Sequence, residues 1–248
     1  MGVFIKNDEQ ISLMRTASKI CARTHELLQK HIKPGVTTGE LSAIAEDFIQ
    51  SNDAKPSFLG YRGFPAAICA SVNNEVIHGV PGLRKLLSGD IISIDIGVCF
   101  KRFHGDAART IAVGTISEMH QKLIDVTEQS FFAGVKCCTE SNRLHDISNA
   151  IDDYVKPFGF GIVQEWCGHG VGRQVHEDPQ IPHTRQEKRG PRLRRGMTLA
   201  IEPMINIGTY DISMLDDTWT VVTRDGEYSA HYENTVLITD GEPEILTL

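Results

Sequence analysis

The sequence predicts an α+β fold on three observations: two amphipathic helical segments open the chain, short apolar runs bounded by Gly, Asp or Pro follow in two groups, and a helical middle separates those groups. The first helix rests on Ile11, Met14, Ala17, Ile20, Cys21, Thr24, Leu27 and Leu28, which recur at steps of three and four until Lys33-Pro34-Gly35 stops them. A second helix begins at once. Thr37 with Glu40 three residues on is a capping-box pattern, and Leu41, Ile44, Ala45, Phe48 and Ile49 supply the apolar face. Strand-like runs lie near 66–72, 91–98, 108–114, 199–206, 219–223 and 235–239, with residues 117–137 and 142–156 helical between the groups. With no low-complexity linker or short-period repeat, the 248 residues are expected to form one domain, 1–248.

Composition excludes several classes. Lys and Arg number 25 against 32 Asp and Glu, and a formal charge of −7 disfavours a surface that grips nucleic acid or anionic lipid over its whole area. The opening MGVFIKNDEQ has no apolar signal core, and no segment offers eighteen apolar residues in a row, so a cytoplasmic protein without a membrane partner is expected. The six cysteines fall at irregular spacings with no CxxC pair, which reads as reduced core thiols.

The informative anomaly is a set of acids inside runs that otherwise read as buried: Asp95 in Ile91-Ile92-Ser93-Ile94-Asp95-Ile96, Glu202 in Leu199-Ala200-Ile201-Glu202-Pro203-Met204, and Glu233 opening Glu233-Asn234-Thr235-Val236. Asp106 lies 11 residues after Asp95, a distance that two neighbouring strands and a turn can span. Strand alternation could still put Asp95 on a solvated face. Buried acids are costly unless paired, and no run of Lys or Arg lies near these four in sequence, so cations are the expected partners. Two divalent ions would balance four carboxylates. His169, in Cys167-Gly168-His169-Gly170-Val171-Gly172, adds an imidazole, and one imidazole among carboxylate oxygens suits Mn, Fe, Co or Zn better than Ca. A two-metal hydrolytic centre is the expectation.

Glycines 168, 170 and 172 do not match GxGxxG, and no Walker lysine follows, so a phosphate cradle is not expected. His25, His31, His120 and His145 lie in helical segments and are expected to be structural. His78, just before Gly79-Val80-Pro81, and His176, just before Glu177-Asp178-Pro179, sit at loop edges, where catalytic groups tend to project.

Taken in order, SVNNEVIHGVP, GDIISIDIG with HGDAART, CGHGVGRQVHEDP, GMTLAIEPMI and SAHYENTVLIT resemble the pita-bread metallopeptidases, specifically the type I methionine aminopeptidase family in its bacterial style. The resemblance runs from the first helix to the last strand. It implies two pseudo-symmetric halves with an antiparallel sheet covered by helices. It also implies that Asp95, Asp106 and Glu233 hold the more exposed metal, that Asp106, His169, Glu202 and Glu233 hold the other, and that Asp106 and Glu233 bridge. By the same resemblance, water between the ions attacks the first peptide bond, Glu202 shuttles the proton, His176 stabilises the oxyanion and His78 assists the scissile amide. Tyr61, Phe64, Cys69 and Trp219 stand where the family holds the methionine side chain, although ordinary core packing would also account for them. The substrates implied are nascent polypeptide N-termini with a small second residue, and the cofactors two divalent ions.

Two departures stand out: Val175 precedes His176 where many bacterial relatives carry Phe, and Asn234 stands where many have His. Neither the N-terminal zinc-binding extension nor the type II insert is expected. A proline-directed peptidase of the same fold would need an N-terminal domain for which 248 residues leave no room, and a non-catalytic binding protein would not be expected to keep all five ligands. Six basic residues in the stretch 184–196 (Arg185, Lys188, Arg189, Arg192, Arg194, Arg195) form a solvated loop that is also a candidate ribosome contact, and a monomer is expected.

Overall fold

In the computed structural model, which describes residues 2–248, helices α1 (Asp8–His31) and α2 (Thr38–Ser51) come first. Each starts with a reciprocal cap. Asn7 Oδ1 accepts from the Gln10 amide and Gln10 Oε1 accepts from the Asn7 amide, and Thr37 and Glu40 repeat the exchange. Strands β1 (Lys55–Pro56), β2 (Cys69–Val72), β3 (Glu75–Ile77), β4 (Ile91–Phe100) and β5 (Phe103–Ala112) follow. Helices α3 (Glu118–Val135) and α4 (Leu144–Val155) form the middle. The second strand group is β6 (Gly161–Ile162), β7 (Gly168–Gly170), β8 (Glu177–Ile181), β9 (Thr198–Ile201), β10 (Met204–Asn206), β11 (Ile212–Met214), β12 (Val221–Thr223), β13 (Ser229–His231), β14 (Glu233–Leu237) and β15 (Glu244–Ile245).

Nine strands form the main antiparallel sheet in the order β1-β4-β5-β14-β9-β7-β8, with β2 also paired to β4 and β15 to β14. The sheet divides into two halves, each backed by its own helix pair. Ile20 and Leu28 of α1 and Leu41 and Ile49 of α2 pack on Ile92, Ile94 and Ile96 of β4. Phe131 of α3 and Ile147 and Ile151 of α4 pack on Ile181, Leu199, Ile201 and Val236. Each such side chain removed from water stabilises the fold by roughly 1.5–3 kcal/mol. The halves meet where β5 pairs with β14, Ala108 opposite Glu233 and Ala107 opposite Asn234.

The apolar run expected over 199–206 is two strands in different sheets. Pro203 has no N–H to continue a ladder, so the chain leaves the main sheet after Ile201 and re-pairs as β10 with β13 and β6. The segment paired with it makes the same switch, since β13 ends at His231 and β14 begins at Glu233. The strand expected at 108–114 starts earlier, at Phe103, so Asp106 lies within it. The one expected at 66–72 begins only at Cys69, and that at 219–223 only at Val221. All six cysteines are free, and no helix among the described residues is long and apolar enough to cross a membrane.

Candidate metal centre and substrate cleft

The strand register explains why acids distant in sequence converge. Asp95 of β4 lies opposite Ala108 of β5, and Ala108 lies opposite Glu233 of β14, so the two carboxylates flank a methyl group in one row across three strands. Asp106 is two residues from Ala108 on the same strand and therefore shares that face. His169 of β7 lies opposite Ala200 of β9, and Glu202 follows β9 at the switch between sheets. The five residues expected from the sequence are thus brought to one place. Small alanines under the cluster leave space above the sheet.

His169 Nδ1 lies 2.9 Å from the carbonyl oxygen of Gly170, which can only accept, so the proton is on Nδ1. Burial pushes this histidine down to about 3, so the ring is neutral and Nε2 presents a lone pair, 3.3 Å from Glu202 Oε1. Asp106, His169 and Glu233 offer donor atoms within 4.8 Å of one another, and Glu202, His231 and Glu233 form a second such group sharing Glu233. Asp95 Oδ1, Asp106 Oδ1, Glu202 Oε1 and His231 Nε2 are buried without a hydrogen-bond partner among the described residues. Orphaned oxygens and nitrogens converging with no thiolate fit hard-to-borderline divalent cations. The same groups are poorly satisfied by protein alone. Burial raises Asp95 and Glu202 well above the usual carboxylate range, and the neighbouring acids add to it. Asp106 is pushed up to about 7 by burial, although its contact with Asp95 pulls the other way. Glu233 is raised by burial and then by Asp106, Glu202 and Asp95.

The cluster forms the floor of a cleft of about 1020 Å³ that is also lined by Tyr61, Phe64, Cys69, His78, His176 and Trp219. His78 is held in the left-handed region, φ 58°, and is followed by Gly79, where a Cβ would come within 2.5 Å of the Ala70 carbonyl oxygen. Such strain at a cleft residue is maintained by the surrounding fold. Its ring stands edge-on to Trp166 at 4.9 Å. His176 Nδ1 is 2.9 Å from the Tyr61 hydroxyl, and its ring is 4.3 Å from that of His169. Burial lowers both His78 and His176 to about 4, so both are neutral at physiological pH. Phe64 and Trp219 meet edge-to-face at 5.1 Å, and Phe58, Cys69 and Val175 pack with them into one apolar wall.

Two residues of the centre escape sequence reasoning. His231 is buried with Nε2 facing the carboxylates; its i, i+2 spacing to Glu233 was the available signal. His183 Nε2 accepts from the Glu202 amide at 3.3 Å, and nothing in its surroundings, Ile181-Pro182-His183-Thr184, marks it. Of the six basic residues in 184–196, Arg185, Arg189 and Arg195 are ion-paired with Asp153, Asp146 and Asp8.

Residues 12–240 match the model of metallopeptidase family M24. The chain is 56% identical over 246 residues to a methionine aminopeptidase of Clostridium perfringens, covering 99% of each chain. It is 51% identical over 245 residues to methionine aminopeptidase 1 of Bacillus subtilis, again covering 99% of each. The crystal structure of a methionine aminopeptidase from Thermotoga maritima superposes with a TM-score of 0.97 at 40% identity, covering 99% of both chains.

Proposed function

Because the chain belongs to metallopeptidase family M24, we propose that it is a methionyl aminopeptidase that removes the initiator methionine from nascent proteins, with a preference for a small second residue. The fold is the pita-bread fold, and the chain binds divalent metal. Neither a proline-directed peptidase nor a non-catalytic binding protein is favoured by relatives of this identity and coverage. The single observation that carries the reading is the convergence of Asp95, Asp106, His169, Glu202 and Glu233, with orphaned buried donor atoms, on the floor of a cleft.

In this reading the carboxylates of Asp95, Asp106, Glu202 and Glu233 and the imidazole of His169 would together hold the divalent ions. Divalent ions held there would supply Lewis acidity and a water acidic enough to lose a proton near neutral pH. Glu202, whose carboxyl lines the cleft, takes the proton from the attacking water and delivers it to the departing amine. His176, fixed by Tyr61, donates to the oxygen that becomes negatively charged. His78, on its strained turn, hydrogen-bonds the scissile amide. The methionine side chain lies against Phe64, Trp219, Tyr61 and Cys69, where aromatic faces and sulfur favour an unbranched thioether. The neutral state of both histidines suits donation without an added charge.

The same reading makes the protein a monomeric single catalytic domain, 1–248, acting in the cytoplasm where nascent chains emerge. Exposed Lys188, Arg192 and Arg194 are the part of loop 184–196 left to meet ribosomal RNA. The test is to incubate metal-free protein with Mn, Co, Fe or Zn and a Met-Ala-Ser peptide and to measure released methionine. Release with at least one metal and none without is expected; no release with any of the four would overturn the reading.

A further inference from the structure

The segment before α1 does more than lead into it. The Lys6 amide donates to the Gly196 carbonyl at 2.8 Å, and a Cβ on Gly196 would approach the Lys6 carbonyl oxygen to 2.7 Å, so the backbone here is pinned. From that anchor the Lys6 side chain, 1% exposed, runs inward and its ammonium donates to Glu177 Oε2 at 2.8 Å and to the Phe4 carbonyl at 3.3 Å. Glu177 immediately follows His176. Its other oxygen accepts from the Gln174 amide, and its backbone pairs opposite Gly170, next to His169. Gly172 closes the socket: a Cβ there would lie 2.5 Å from Lys6 Cε and 2.8 Å from Glu177 Oε1. An ammonium is buried at high cost unless paired, and this one is paired with the carboxylate that ties down both ends of the 174–177 turn.

We propose that Lys6 is a positioning residue for His176, holding through Glu177 the turn that sets this imidazole between Tyr61 and His169. The proposal rests on the oxyanion role given to His176 above. It makes the N-terminal segment part of the reaction geometry, although Lys6 touches no reacting atom. Phe4, on the same segment, lines the cleft.

The experiment is a double-mutant cycle between Lys6→Met, which keeps the side-chain volume and removes the charge, and His176→Ala, with kcat and KM measured on a Met-Ala-Ser peptide in Mn and Mn affinity measured by calorimetry. Lys6→Met is expected to lower kcat about tenfold or more with KM and Mn affinity within twofold of the starting protein, and the double variant is expected to be no slower than His176→Ala alone. Glu177→Gln serves as the second variant if Lys6→Met does not fold, with the same expectations. Retention of kcat within twofold, losses that multiply in the double variant, or a tenfold loss of Mn affinity would each overturn the proposal. If His176→Ala itself keeps full kcat, the oxyanion assignment falls, and the role of Lys6 falls with it. If His176→Ala is slow and Lys6→Met is not, only the role of Lys6 falls.

Discussion

The Nε2 of His231 stands 3.7 Å from Oε2 of Glu202 and 3.9 Å from Oε2 of Glu233, too far for a hydrogen bond to either, and buried. Burial lowers this histidine to about 3, so a neutral ring faces the carboxylates of two proposed metal ligands. Groups that flank metal ligands commonly change affinity 10–100-fold when removed. His231→Ala is therefore expected to weaken Mn binding about tenfold by calorimetry on metal-free protein. Unchanged affinity would mean that the ring only fills space.

Glu202→Gln is expected to push activity and metal-free stability in opposite directions. If Glu202 shuttles the proton as proposed, its loss should lower turnover by about 10²–10⁴-fold. Removing one of four clustered carboxylates relieves repulsion in the absence of metal, so the metal-free melting temperature should rise by a few degrees, roughly 2–4 °C for about 1 kcal/mol in a chain of this size. Calorimetric scanning without metal, beside a methionine-release assay with Mn, checks both. A fall in both quantities would contradict the electrostatic account.

The carboxylates also give a pH signature. Their folded values are raised, Asp106 to about 7, so the metal-free fold binds more protons than the unfolded chain. The resulting stability is fully present below about pH 4 and is lost as pH rises through about 7. The buried histidines, lowered to about 3 or 4, act the other way, but their effect is complete above about pH 6.5. Between pH 6.5 and 8 the metal-free melting temperature should therefore fall while that of the Mn-loaded protein holds. A gap that stays constant over this range would refute the coupling.

Val175 is 3% exposed within the wall formed by Phe58, Phe64, Cys69 and Trp219. Val175→Phe adds a ring where the wall is already packed, at about 1–3 kcal/mol of stability. Release of methionine should remain largely intact, while the ratio of kcat/KM for methionine over leucine peptides shifts. An unchanged ratio would remove Val175 from the specificity wall.

Much of the candidate site was legible because an ionisable acid in an apolar run carries a physical cost that demands a partner; Glu202 and Glu233 announce themselves this way, while Asp95, which strand alternation could have put on a solvated face, does so less clearly. Helices α1 and α2 were equally legible, since their apolar periodicity spans several turns and the Thr37–Glu40 cap of α2 is local; α3 and α4 fall within the segments 117–137 and 142–156 expected to be helical. The switch at Glu202-Pro203 was not. Apolar residues continue on both sides of Glu202-Pro203, from Leu199 to Ile205, and a single chain position does not say which sheet each half joins. His231 was hidden because a lone histidine beside Tyr232 resembles a packed core residue. Lys6 was hidden because it precedes the amphipathic pattern and its partner is 171 residues away. Strands of two or three residues, such as β6 and β7, are too short to show a period at all.

The seam at which Ala107 and Ala108 face Asn234 and Glu233 leaves the two helix-backed halves joined beside the very carboxylates that call for a cation. An ion held by Asp106 and Glu233, as proposed, would in effect be a rivet through that joint. Chelation should then quicken amide hydrogen exchange at residues 107, 108, 233 and 234, while Ile94 and Ile201, deep within either half, keep their slow exchange.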